Sequence, residues 1–592
     1  MNPSTVRLVE LWKASSEMTV GEITRYRICF DPKKIRKSTA WPPQNLVLKV
    51  KNTTPIIYAI AILQGPYNIS ATCIETKHND RSIFNQPLEI VPQTKAGIKC
   101  GETWEITLNL PYEIIEGEED WIGDWTIEVL SDILFSNNKV QYEVLLSAVI
   151  TCVTDEIEEF QILDLNVKDE KEYKDGPTII NIHSPTISFE YFKPEDVFAL
   201  PNLNDIIKNN KSVHLVVLTH GIHGSMLDEL YLKESIEEMY KDQLEYEVVV
   251  YMSDVNHSGT QDGIENCGKR LAKNILEYIG WPWISSDHTS SSITSSSLAS
   301  PSESKNINFN RNLLSKISFI GHSLGGLINV FLIGYLNNVT NGTFFKEVEP
   351  IHFVAIASPF LGSTDLAWYL QFGLKLGAVG QTGKDLALIP RSKNEQHSAS
   401  DVLDKGDSFP NIDSLNEEPL LLSLSRPNSS SHMALKSFKN RTLYANITND
   451  VPVSLKSSSL YFINYNGDDC VKDHSHITLL SQLQRLVTTL MPPETTKEYL
   501  NRSFSVKSPI IYDKLYHPND IPPIADTFST SSEREADEGY HNLPIEEQIA
   551  RFWHKDMSWR KVLVRLDGDA HTHVIVRRKW QDAPGWQLTN LN

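Results

Sequence analysis

The sequence predicts two folds in series: an all-β, sandwich-like N-terminal domain, then an α/β domain on a mostly parallel sheet. Three observations predict this. Residues 1–165 carry runs such as ITRYRICF, NLVLKVKN, TWEITLNL and DWTIEVL, rich in β-branched and aromatic residues and separated by Pro, Gly and Asn. Beyond residue 210, short apolar runs alternate with helical patterns such as GIENCGKRLAKNILEYI, the order expected of a parallel sheet with helical crossovers. One of those runs, KISFI, ends in Gly321-His322-Ser323-Leu324-Gly325 and passes directly into an apolar helical pattern.

At 592 residues the chain is too long for one core. Its 40% hydrophobic and 22% charged content is that of a globular protein, and its net charge of −20 works against nucleic acid as a partner and against docking to an anionic membrane by bulk charge. The division expected is 1–165 for the β domain, 166–210 as an acidic linker, and 211–592 for the α/β domain. The strands of the second domain are His214–Leu218, Tyr246–Tyr251, Ile317–Ile320, His352–Ile356, Thr442–Ile447 and Val562–Leu566, near-continuous apolar runs that suit strands covered on both faces. Residues 317–336 are long enough to span a membrane, but their glycine pairs, His322, Ser323 and Asn329 favour a buried strand and helix. Two insertions interrupt the pattern: a Ser-rich stretch, 285–310, and a longer one, 365–440, a candidate lid.

The six cysteines have no metal or disulfide-framework spacing, and MNPSTVRLVELWKASSEM lacks the apolar core of a signal peptide. A cytoplasmic, reduced protein is expected. No metal or other cofactor is expected.

A strand, then Gly-x-Ser-x-Gly, then a helix is the nucleophile elbow of α/β-hydrolases. The turn must be sharp enough to lift the Ser323 hydroxyl clear of the sheet, and Gly321 and Gly325 remove the Cβ atoms that would collide across it. A serine hydroxyl is a weak nucleophile, so it needs an imidazole to take its proton and a carboxylate to hold that imidazole in one tautomer. In this fold the acid follows the strand two places beyond the nucleophile strand. Asp450, after TLYANI, stands there, with Asp365, Asp468 and Asp469 as competitors. The base follows the last strand: His571 in DGDAHTH is the choice, with His573, His474 and His476 as alternatives. Two N–H donors must meet the oxyanion. Leu324 supplies one; Ile222, in His220-Gly221-Ile222-His223-Gly224, supplies the other, Gly221 letting that backbone approach.

These pieces together resemble the putative serine esterase family of α/β-hydrolases, and within it the fungal Rog-type lipases. The resemblance rests on LTHGIHG (218–224), NCGKRLAKNILEYI (266–279), ISFIGHSLGGL (317–327), FVAIASPFLG (353–362), GQTGKDL (380–386), ALKSFKNRTLYANITNDVPV (434–453) and WRKVLVRLDGDAHTHVIVRRKW (559–580), with KVKNTTPIIYAIAILQGPY (49–67) and SDILFS (131–136) in the β region. It implies hydrolysis of a lipid ester, monoacylglycerol or phospholipid, through Ser323, Asp450 and His571, with peripheral contact to a membrane or lipid droplet. Two other readings share these residues: a catalytically silent tethering protein on a hydrolase fold, and an acyl-thioesterase.

Overall fold

The computed structural model describes residues 5–19, 21–31, 45–60, 67–76, 92–110, 122–131, 139–152, 169–172, 177–181, 186–208, 211–281, 314–363, 380–390, 418–461, 509–521, 543–579 and 582. They divide into two compact units, one drawn chiefly from 1–199, the other from 200–577.

The first unit holds eleven strands: β1 (Thr5–Met18), β2 (Ile23–Phe30), β3 (Asn45–Asn52), β4 (Ile69–Glu75), β5 (Gln93–Ile98), β6 (Thr103–Asn109), β7 (Gly123–Ser131), β8 (Val140–Cys152), β9 (Asp169–Glu172), β10 (Thr178–Asn181) and β11 (Ile187–Phe192). They form two antiparallel sheets, β6-β3-β8-β1-β10-β9 and β11-β2-β7-β4-β5. Alternation places them. In β2, Thr24, Tyr26, Ile28 and Phe30 point inward, while Arg25 and Arg27 pair outside with Glu128 and Asp124 of β7. One apolar core draws on both sheets, and the Tyr142 hydroxyl of β8 meets those of Thr24 and Tyr26 of β2 at 2.6 and 2.8 Å. The segment expected as a linker, 166–210, is therefore corrected: it supplies β9, β10 and β11. Ile179 and Ile187 are buried there among acidic neighbours, whose charges obscure so short an apolar signal.

The second unit is a seven-stranded sheet of β12 (Ser212–Thr219), β13 (Tyr246–Tyr251), β14 (Leu314–His322), β15 (Glu349–Ile356), β16 (Asn440–Asn446), β17 (Ile510–Tyr516) and β18 (Trp559–Val564), in the order β13-β12-β14-β15-β16-β18-β17. Every neighbouring pair is parallel except β17–β18. The six expected strands are all present. The seventh, the antiparallel edge β17, was not anticipated. Of its residues only Tyr516 is buried, so IIYDKLY carries no continuous apolar run.

Around the sheet lie α1 (Leu230–Tyr240), α2 (Ile264–Ile279), α3 (Leu324–Val339), α4 (Gly380–Leu386), α5 (Leu420–Ser425), α6 (Ser430–Lys436), α7 (Ile545–His554) and the single turn α8 (Ala570–His573). The apolar run 317–336 is divided between β14 and α3, and no helix among the described residues is long and apolar enough to cross a membrane. α3 is buried around most of its circumference, and α2 turns Ile264, Cys267, Leu271, Ile275 and Ile279 into the same core.

That core also takes Leu386 and Leu388, and Leu420, Leu424, Ala434, Leu435 and Phe438. Parts of the expected lid at 365–440, namely 380–390 and 418–440, thus contribute side chains to this core. The rest of it, and the Ser-rich insert 285–310, lie outside the described residues.

Candidate active site

Parallel strands end on the same side of a sheet, so the loops after β12, β14, β16 and β18 gather at one edge. These are the loops that carry His220–Gly224, Ser323, Ile447–Val453 and Arg565–His571.

Ser323 holds φ 54° and ψ −125°, a conformation that an L residue adopts only under constraint. The constraint is visible. Its N–H donates to Ile356 C=O at 2.9 Å, and its own C=O accepts from Gly326 N–H at 3.2 Å. A Cβ on Gly325 would stand 1.9 Å from the Thr219 carbonyl oxygen, and one on Gly321 would stand 2.4 Å from Gly326 N. No side chain fits at either place. Leu324 follows as the first residue of α3, so its N–H belongs to the free donors of a helix start.

The loop after β12 comes directly onto the serine: a Cβ on Gly221 would lie 2.8 Å from Ser323 Cβ and 3.3 Å from its Oγ. Ile222, partly buried, follows; His223 then takes φ 55°. Beyond it, Asp228 accepts from Arg577 Nε at 2.6 Å, tying the end of this loop to the chain just past α8.

Asp450 and His571 meet. Nδ1 of His571 lies 3.0 and 3.2 Å from the two Asp450 carboxylate oxygens. Two further donors hold the carboxylate: Asn446 Nδ2 at 2.8 Å and the Val453 N–H at 3.0 Å. Asn446 Nδ2 also reaches Ala570 C=O at 3.1 Å, and Ala570 N–H donates to Asn449 C=O at 3.3 Å, so the two loops are stitched together. Burial alone would depress the His571 imidazole; the Asp450 carboxylate outweighs it and leaves the pKa above the ordinary 6.5.

His322, the residue before the serine, is buried behind the elbow. Its ring lies 4.7 Å from that of His571, and its Nε2–H donates to His571 C=O at 2.8 Å. Burial, with the His571 ring beside it, holds its pKa down at about 3, so it is a neutral donor.

Among the alternatives, His573 turns away: its Nδ1–H donates to Asp567 C=O at 2.7 Å within its own turn. His474, His476, Asp365, Asp468 and Asp469 lie outside the described residues. Asn446 has no signal of this role in the sequence, because a strand-ending Asn does not show which loops it will join.

Residues 209–460 match the family model described as Putative serine esterase (DUF676). Over 98% of its length the chain is 28% identical to the Saccharomyces cerevisiae protein named Putative lipase ROG1, covering 82% of that protein. A protein of Schizosaccharomyces pombe also named a putative lipase is 24% identical, over 92% of this chain and 73% of the relative. Among solved structures, a lipase-esterase related protein from Clostridium acetobutylicum is 11% identical, covering 43% of this chain and 82% of its own, with a TM-score of 0.21. A type II thioesterase from a yersiniabactin pathway is 13% identical over 43% of this chain and 80% of its own, with a TM-score of 0.19.

Proposed function

We propose, from the premise that residues 209–460 belong to the putative serine esterase family, that this chain is a serine-dependent hydrolase of lipid esters, built on an α/β-hydrolase fold and acting through an acyl-enzyme. Ser323 Oγ attacks the acyl carbonyl while His571 Nε2, the ring nitrogen that Asp450 leaves free, takes its proton. The N–H groups of Leu324 and Ile222 receive the oxyanion. Collapse of the tetrahedral intermediate breaks the ester C–O bond, and His571 returns the proton to the leaving alcohol. Water, deprotonated by the same imidazole, then frees the acid and restores Ser323. Asp450 holds the ring in one tautomer and stabilises the imidazolium. These residues supply the nucleophile, base and oxyanion donors, so the scheme calls on no metal.

One observation carries the reading. The Asp450–His571 pair is joined through His322 to the elbow of Ser323, and Gly221 packs directly against that serine.

The relatives are named as lipases, which favours a monoacylglycerol or phospholipid and peripheral contact with a membrane or lipid droplet. Cys29, Cys73, Cys100 and Cys267 are free thiols, which suits a cytoplasmic setting. The test is a substrate panel with the purified chain: monoacylglycerols, phospholipids, short acyl esters and acyl-thioesters. Release of fatty acid from a glycerolipid supports the reading; turnover of thioesters alone shifts it to a thioesterase, and turnover of none ends it.

A further inference from the structure

The segment GQTGKDL, residues 380–386, has no part in this chemistry, yet it is deeply seated. Thr382 is fully buried, and Asp385 is 1% exposed. It forms α4, which is keyed into the turn 260–264 that opens α2. Four hydrogen bonds join the two. Thr382 N–H donates to Gln261 C=O at 3.2 Å, and the Thr382 hydroxyl donates to Thr260 C=O at 2.6 Å. Gly263 N–H donates to the same hydroxyl at 3.0 Å, and Ile264 N–H donates to the Asp385 carboxylate at 3.1 Å. The fit is close: at Gly380, φ 59°, a Cβ would stand 2.4 Å from Gln261 O.

The gripped turn in turn holds the loop that faces the serine. The Thr260 hydroxyl, 1% exposed, accepts from the His223 N–H at 3.0 Å. His223 follows Ile222 and takes a positive φ, 55°, which is uncommon for a residue with a side chain. Fixing the 222–223 peptide plane limits the swing of the adjoining 221–222 plane, whose N–H is the oxyanion donor assigned above.

We propose that Thr382 and Thr260 are positioning residues, a two-hydroxyl clamp through which α4 sets the oxyanion loop. The clamp acts on the transition state rather than on substrate capture, so its loss lowers kcat and spares KM. It rests on the assignment of Ile222 to the oxyanion hole.

The test compares the full chain with Thr382→Val, Thr260→Val and Thr382→Ser. Two readouts are followed: backbone amide hydrogen exchange across 220–224, and kcat and KM on a soluble short acyl ester. The expected result is faster exchange at 222–224 in both Val variants. With it, kcat falls about tenfold to a hundredfold, KM stays within about twofold, and Thr382→Ser recovers most of the loss. Two results overturn the clamp in an active enzyme. One is exchange unchanged in both Val variants; the other is faster exchange with kcat untouched. A wild type that exchanges slowly at 222–224 but turns over no ester overturns the esterase reading itself, and the catalytic purpose of the clamp with it.

Discussion

The imidazole of His322 donates from Nε2 to the main-chain oxygen of His571 at 2.8 Å, with the two rings 4.7 Å apart. The residue next to Ser323, the proposed nucleophile, therefore holds the backbone of His571, the proposed base. His322→Phe keeps an aromatic ring, though a larger one, and removes the donor, leaving a buried carbonyl unpaired. The expected cost is about 1–3 kcal/mol of stability, with kcat reduced about tenfold to a hundredfold as the base loses its register. Chemical denaturation and steady-state kinetics on one preparation measure both.

The His571–Asp450 pair makes a prediction about pH. Burial lowers the imidazole pKa, but the neighbouring carboxylate overcomes this and sets it above 6.5. General-base catalysis needs the neutral ring, so kcat/KM falls as pH drops through a value above 6.5. In Asp450→Asn burial is opposed only by the weaker influence of Asp569. The acid limb then moves below 6.5, and kcat falls about 10⁴-fold as the tautomer is lost. The sign for stability is the reverse. A raised folded-state pKa stabilises fully below the unfolded value of about 6.5, and that contribution is lost as pH rises through the folded value. Asp450→Asn, with its folded-state pKa below 6.5, reverses the sign, so that stability is instead lost as pH falls, which denaturation across pH 5–9 would register.

Asn446 bridges Asp450 and Ala570 C=O from one amide nitrogen. Asn446→Ala leaves two buried acceptors short of a donor, at a cost of about 1–3 kcal/mol. Activity should fall further than stability alone explains, because the acid and base loops lose their shared contact. Comparing kcat with the folded fraction at the assay temperature checks this.

Much of this was readable beforehand, for physical reasons. Strands covered on both faces show as unbroken apolar runs, so His214–Leu218 and Ile317–Ile320 are plain, whereas the edge strand β17 buries only Tyr516 and reads as a loop. The elbow is legible because packing against Thr219 O leaves no room for a Cβ at Gly325. Asp450 and His571 follow from strand order. Asn446 and the Thr260–Thr382 contact were hidden, since a polar residue's partner 122 or 124 positions away leaves no local pattern. The strands β9–β11 were hidden by the acidic residues around them.

The approach of Gly221 to the serine gives a further expectation. Gly221→Ala would press a Cβ to 2.8 Å from Ser323 Cβ, and either the loop or the nucleophile must give way. A loss of about a hundredfold in kcat with a small change in melting temperature is expected; unchanged turnover would mean that the loop has no role near the oxyanion.

Labelling of the folded protein with a fluorophosphonate probe, with the modified residue mapped by mass spectrometry, tests the central claim most directly. A single adduct on Ser323 is expected, with no adduct and no ester hydrolysis in Ser323→Ala, and an unchanged melting transition in that variant. Labelling elsewhere, or undiminished turnover of a short acyl ester by Ser323→Ala, would contradict it.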